Sequence, residues 1–263
     1  MHTKKAILVV SFGTSYSESR KKNIDAIANE IAHAFPQYTV RQAFTSKIII
    51  QILKTRDNIH MDSVTQALQQ LVEEGYQELI IQPTHLMNGI EYDEMVADAV
   101  AFKGLFNKMR IGAPLLTTVS DYEDFIEAVL SEIPERGDAN TAIVFMGHGS
   151  THFANAAYAA LDYHMKHKGH RNAFVGTVES YPDILTVRED LIAYGAKKAV
   201  LYPLMIVAGD HAHNDMAGEE EDSWTSILEK DMEVTTVLKG LGEYKGIRSM
   251  FIAHVVNAIR KEG

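Results

Sequence analysis

The chain is written twice. The run AILVVSFGTS at 6–15 resembles AIVFMGHGST at 142–151, and EEGYQELIIQPTHLMNGIEYDEM at 73–95 resembles AYGAKKAVLYPLMIVAGDHAHND at 193–215. In both copies of the second segment two glycines lie 14 residues apart, Gly75 with Gly89 and Gly195 with Gly209. Such self-similarity restricts the fold to two related units, each built on one supersecondary pattern. The first pair of segments is offset by 136 residues and the second by 120, so the N-terminal half carries about 16 extra residues, expected around KIIIQILKTRDNIHMD.

Each half reads as strand, helix, strand, helix, strand, helix, strand. The strands are short β-branched runs: KAILVVS, TVRQAF, ELIIQP and MRIGAPLL, then TAIVFM, AFVGTV, KAVLYPLMIV and EVTTVL. Between them the period becomes helical. Ile24, Ile27, Ile31 and Phe35 make one apolar stripe that Pro36 stops, and Val64, Leu68, Leu71 and Val72 make another. The second stripe opens with a capping box, Ser63-x-x-Gln66, and ends at Gly75. Strands alternating with helices imply parallel sheets joined by right-handed crossovers. The expectation is an α/β chain of two similar Rossmann-like lobes, residues 1–130 and 131–263, with PERGDAN as the most linker-like stretch.

Three residues fall just after strand-like runs of the second half: His148 in FMGHGS, Glu179 in GTVESYP and His211 in VAGDHAHND. In parallel α/β sheets ligands bind at the carboxyl ends of the strands. Two imidazoles and one carboxylate on that rim point to a metal-handling cleft, placed between the two halves as ligands of duplicated folds commonly are. Each residue also has a plainer reading. His148 alone can be a hydrogen-bonded loop histidine, Glu179 a carboxylate favoured by a helix dipole, and His211 part of a helix start capped by Asp210 or Asn214. Asp210 or Asp215 can also fix a histidine ring through its second nitrogen. By the repeat, His148 corresponds to Phe12, Glu179 to Thr45 and His211 to Glu91, so the metal chemistry is concentrated in the second half. The first half is expected to supply a wall and lid for a large partner, with Ser11, Gly13, Thr14, His85 and Glu91 on its rim.

Composition narrows the chemistry. The chain has no cysteine, so any metal must be held by His nitrogen and carboxylate oxygen, a set that does not choose among borderline divalent ions. A formal charge of −10 argues against nucleic acid. No segment approaches ~20 uninterrupted apolar residues, which argues against a membrane span, and the start of the chain passes straight into a strand pattern rather than a secretory signal; a cytoplasmic location is expected. Nucleotide-binding glycine motifs, a nucleophile elbow and the H-E-x-x-H zinc motif are absent. His164, His167 and His170 read as a solvated helix face and its end.

Taken in order, LVVSFGTS, AFTS at 43–46, NGIEYDE at 88–94, VFMGHG at 144–149, VESYP at 178–182, VAGDHAHNDM at 207–216, DSW at 222–224 and GLGE at 240–243 resemble the anaerobic sirohydrochlorin cobaltochelatases of the CbiK type, in the class II chelatase group that includes ferrochelatase. The resemblance covers essentially the whole chain. It implies the chelatase fold, with a four-stranded parallel sheet flanked by helices in each lobe and a tetrapyrrole of the sirohydrochlorin or precorrin-2 type held between them. It also implies a lyase that inserts Co²⁺ in the early-cobalt route to cobalamin, with His148, Glu179 and His211 as metal-binding and catalytic positions and His148 as proton acceptor. Under this reading no cofactor is permanently bound. Co²⁺ is a substrate, and Ni²⁺, Fe²⁺ or Zn²⁺ can occupy the same ligands. Nickel or iron insertion into a related ring, a non-catalytic tetrapyrrole or metal carrier, and a metal-dependent hydrolase are the alternatives. A homo-oligomer is compatible with the sequence.

Overall fold

The duplication appears as two parallel sheets of matching strand order. A computed structural model gives the structure and describes residues 3–260. In the first sheet, β1 (Lys5–Ser11), β2 (Thr39–Phe44), β3 (Glu78–Pro83) and β4 (Lys108–Ile111) lie in the order β2-β1-β3-β4. In the second, β5 (Thr141–Gly147), β6 (Ala173–Thr177), β7 (Lys198–Pro203) and β8 (Glu233–Thr236) lie in the order β6-β5-β7-β8. The central strands are apolar on both faces, as parallel sheets covered by helices require. Ala6–Val10 and Ala142–Met146 are all fully buried, and each such Val, Leu or Ile contributes about 1.5–3 kcal/mol by leaving water.

The helices follow the expected alternation. A short α1 (Ser17–Arg20) continues through a π-turn into α2 (Ala26–Ala34), then come α3 (Lys47–Asp57), α4 (Val64–Glu73) and α5 (Ile90–Val100). The capping box of α4 is formed, with Ser63 Oγ accepting from Gln66 N and Gln66 Oε1 accepting from Ser63 N. After Ser131 the second half adds α7 (Ala156–His167), α8 (Ile184–Tyr194) and a short α9 (Trp224–Leu228), preceded in the chain by α6 (Val119–Leu130) and followed by α10 (Lys245–Arg260). The surplus of the first half is α3. In the second half β6 passes to α8 with no helix of that kind between them.

Two compact units result. One runs up to Thr117 and takes in the segment from Ile247, and the other is Thr118–Gly246. This division differs from the 130/131 boundary read in the sequence, because each half gives its last helix to the other unit. In the second unit Tyr122 of α6 stacks on His164 of α7, with centroids 5.2 Å apart. In the first, Arg248 of α10 pairs with Glu30 at 2.5 Å, and His254 Nδ1 lies 3.1 Å from the carbonyl of Ala113. PERGDAN is the connection from α6 into β5.

Two strands end earlier than their apolar runs. Beyond Ile111 the amide of Gly112 still bonds Ile81 O at 2.8 Å, but Pro114 has no N–H, and Leu115 and Leu116 bond His85 O and Leu86 O instead. In the second unit Leu204 N bonds Met146 O at 2.7 Å, after which Met205 O and Ile206 O accept from Leu241 N and Gly242 N. These apolar residues are core-forming turns: Leu115 and Leu204 are both fully buried. Among the described residues no helix is long and apolar enough to cross a membrane.

Candidate metal centre

In the second unit the chain runs from β5 to β6 on one side, then crosses to β7 on the other, so the crevice at the carboxyl ends of β5 and β7 is a topological switch point. Three loops open there. The register pairs Gly147 with Thr177 and Met146 with Pro203, which brings the segments after the three strands side by side. His148 directly follows β5, Glu179 lies in the turn after β6, and His211 in the loop after β7.

The structure brings these three residues together. One ligand atom from each of His148, Glu179 and His211 lies within 4.8 Å of the other two, making this the one group of its kind among the described residues. The two imidazoles meet edge to face, with centroids 4.6 Å apart and planes at 89°. His148 Nδ1 is 3.7 Å from Glu179 Oε2. An ion bound tetrahedrally at ~2.1 Å would hold its donors roughly 3.4 Å apart, against separations of up to 4.8 Å here. The side chains are reachable, at 46% exposed for His148, 56% for Glu179 and 30% for His211.

Hydrogen bonding bears on which ring nitrogens are open to a ligand. His148 Nδ1 lies 2.9 Å from the carbonyl oxygen of Gly149. A carbonyl can only accept, so Nδ1 carries the proton and Nε2 keeps its lone pair. His211 Nδ1 lies 2.7 Å from Asp215 Oδ2, and an ionised carboxylate there also leaves Nε2 as the free donor atom. Of the two aspartates considered from the sequence, Asp215 makes the contact and Asp210 accepts from Asn214 Nδ2 at 3.0 Å.

The loops are held by main-chain and buried polar contacts. Glu179 N donates to His148 O at 2.9 Å and Val178 N to Gly147 O at 3.0 Å, tying the turn after β6 to the tip of β5. Gly149 adopts φ +90°, and a Cβ there would lie 2.9 Å from both Ser180 N and Ser180 Cβ; only glycine allows this approach. Beneath the turn, the hydroxyl of Tyr158 accepts from Gly149 N at 3.3 Å, and burial pushes its pKa above the usual tyrosine value. Asn155 links both loops, its Oδ1 accepting from Ser150 N and its Nδ2 donating to Tyr181 O. Tyr158 and Asn155 are the supports that sequence reasoning missed. Both lie at the start of α7, in the run NAAYAAL, where nothing but the turn above them sets them apart.

The rim residues of the first unit play visible structural parts. Ser11 Oγ accepts from Thr84 Oγ1 at 2.8 Å, and Thr14 Oγ1 accepts from Tyr16 N at 3.2 Å; both Ser11 and Thr14 are buried. Gly13, at φ +107°, leaves room for the ring of Phe44, which a Cβ would meet at 2.5 Å. Glu91 lies in the first turn of α5. His85 has both ring nitrogens sealed from solvent without a partner, and burial pushes its pKa down to about 4. The sheet register also corrects one equivalence. Ser11 pairs with Phe44 and Gly147 with Thr177, so the residue matching Glu179 is Ser46 rather than Thr45. Ser46 caps α3, with its side chain accepting from Ile49 N.

Among the remaining histidines read from the sequence, His164 and His167 lie in the last turn of α7, and Trp224, the last residue of the DSW run, is buried in the core of the second unit.

The chain matches the cobalt chelatase (CbiK) family over residues 5–260. It is 43% identical over 257 residues to the sirohydrochlorin cobaltochelatase of Salmonella typhimurium, covering 97% of each chain. To the sirohydrochlorin cobaltochelatase CbiKC of Nitratidesulfovibrio vulgaris it is 33% identical over 260 residues, covering 98% of this chain and 91% of the other. Among solved structures, SirB from Bacillus subtilis with Fe³⁺ is similar at a TM-score of 0.67 and 12% identity, over 98% of this chain and 96% of that one. CbiX, the terminal enzyme for siroheme biosynthesis in denitrifying bacteria, is similar at a TM-score of 0.59 and 19% identity, over 97% and 99%. At these identities the two structures share the fold.

Proposed function

The chain belongs to the cobalt chelatase (CbiK) family and inserts Co²⁺ into sirohydrochlorin, and from that premise we propose that His148, Glu179 and His211 hold the ion before its transfer. The observation that carries this reading is the meeting of the three side chains at the carboxyl ends of three neighbouring strands.

The reaction is an exchange: Co²⁺ and a ring with two pyrrole N–H groups give the cobalt chelate and two protons. Two neutral imidazoles and one carboxylate replace part of the hydration shell and lower the net charge of the site from +2 to +1. Three donors leave coordination positions open, through which pyrrole nitrogens can enter before the protein ligands leave. His148 is the proposed acceptor of one pyrrole proton, taken on Nε2 once that nitrogen has released the ion, while the other proton passes to solvent. Its ring is the more exposed of the two histidines, and an imidazole is the side chain most often used to move a proton in general acid–base catalysis. Glu179 Oε2, 3.7 Å away, would stabilise the imidazolium so formed. Past His211 the exposed carboxylates of Glu219–Asp222 add a negative field that favours arrival of a cation.

In this reading the metal is substrate and no cofactor is resident. The His/Glu/His set accepts Ni²⁺, Fe²⁺ and Zn²⁺ as well as Co²⁺, because ligand type alone does not separate these ions. Of the first unit's rim residues, Ser11, Gly13, Thr14 and His85 are taken up in packing, and Glu91, partly exposed at the start of α5, remains the proposed contributor to tetrapyrrole binding. The test is cobalt insertion followed through the visible spectrum of the macrocycle. H148A, E179Q and H211A should each lower kcat/KM for Co²⁺ by at least ~10²-fold; a wild-type rate in any of them removes that residue from the site.

A further inference from the structure

Behind His211 stands a second carboxylate that the exchange itself does not need. Asp215 Oδ2 lies 2.7 Å from His211 Nδ1, and the two residues are four apart across the π-turn Ala212–Met216. A π-turn carries close to four residues per turn, so it places position i+4 over position i, and such turns cluster at functional sites. The first unit offers the comparison. Counting from the shared Gly89 and Gly209, whose carbonyls accept from Asp93 N and His213 N, Glu91 matches His211 and Met95 matches Asp215. There the element continues as the regular helix α5, and Met95 is a core residue, 1% exposed. The carboxylate thus occurs in the unit that has a histidine to receive it.

We propose that Asp215 is a positioning residue of the metal site, an inference that rests on the reading of His148, Glu179 and His211 as the ligands of Co²⁺. By accepting the Nδ1 proton, it fixes the His211 tautomer and aims Nε2 at the ion. A carboxylate behind an imidazole also strengthens it as a metal donor. Behind His148 the hydrogen-bond partner is a backbone carbonyl, Gly149 O at 2.9 Å, and the carboxylate near its Nδ1, that of Glu179 at 3.7 Å, is itself a proposed ligand. The two histidines are therefore unequal ligands: His211 is the anchor and His148 the one that lets go first as a pyrrole nitrogen enters.

The test uses the whole chain and Co²⁺ alone as probe, read by the visible d–d absorption of protein-bound cobalt, together with KM values in the insertion assay. D215A should weaken Co²⁺ binding 10–100-fold and raise the KM for Co²⁺ in step, leaving the KM for sirohydrochlorin and the melting temperature unchanged. D215N, whose amide oxygen still accepts from Nδ1, should recover part of the loss. Wild-type cobalt affinity in D215A, with H211A devoid of the cobalt spectrum, overturns the role of Asp215 and leaves the metal site standing. A D215N variant no better than D215A overturns the hydrogen-bond argument. Retention of the cobalt spectrum in H211A itself overturns the ligand assignment on which the proposal rests.

Discussion

Phe12 and His148 leave their units from the same backbone position. Phe12 O accepts from Ser46 N at 3.2 Å, and His148 O accepts from Glu179 N at 2.9 Å. The first unit therefore shows that this turn accommodates an aromatic ring with no metal-binding function; Phe12 is 48% exposed. H148F should fold with a stability within about 0.5 kcal/mol of wild type, as surface substitutions usually do, yet lose cobalt insertion by ~10²-fold or more. Thermal unfolding alongside the insertion assay checks both halves. An H148F protein that inserts cobalt normally would show that no imidazole is needed at that point.

Gly149 offers a backbone test of the same loop. Alanine there meets both a positive φ and a 2.9 Å approach to Ser180, next to Glu179. G149A should cost more than about 1 kcal/mol and also depress insertion, because the turn can relieve the clash only by displacing His148 or Glu179. A variant of unchanged melting temperature and rate would mean that the turn is not held as described.

The buried imidazole of His85 gives a pH prediction. Its folded pKa of about 4 lies below the value near ~6.5 of an unfolded histidine. Between those values the unfolded chain binds the proton and the folded chain does not, so stability is full above pH ~6.5, falls as pH drops and levels off below about 4. The whole loss from this group is at most roughly 3 kcal/mol. Urea midpoints from pH 7 to 4 should decline less steeply for H85L than for wild type; parallel curves would show that His85 is solvated in solution.

The two sheets are legible in the amino-acid order because buried parallel strands leave a direct mark. Ala6–Val10 and Ala142–Met146 are apolar on both faces, and their repetition sets the offset that aligns the units. The site is legible because Gly147, His148 and Gly149 follow such a run immediately. What lies beyond the sequence depends on tertiary choice. The exchange of α6 and α10 between units follows from packing that chain order does not encode, and Leu115 and Leu204 are apolar because they are buried in turns, not because strands continue. The Thr45 equivalence misses by one residue since only the register of β1 with β2 fixes it, and the role of Tyr158 depends on what the Gly149 turn rests on.

Metal binding should stabilise the fold by linkage. At a free Co²⁺ concentration 100 times its dissociation constant, the gain is about 2.7 kcal/mol, visible as a rise in melting temperature. H211A and E179Q should lose most of that rise, while the cobalt-free proteins melt near wild type. An undiminished rise in both variants would place the stabilising ion elsewhere.

The central claim is tested most directly by a crystal exposed to Co²⁺ with anomalous data collected at the cobalt edge. One peak should appear bonded by Nε2 of His148, Nε2 of His211 and a carboxylate oxygen of Glu179, each at ~2.0–2.2 Å. Cobalt bound at another place, with these three side chains sharing no ion, would contradict the account.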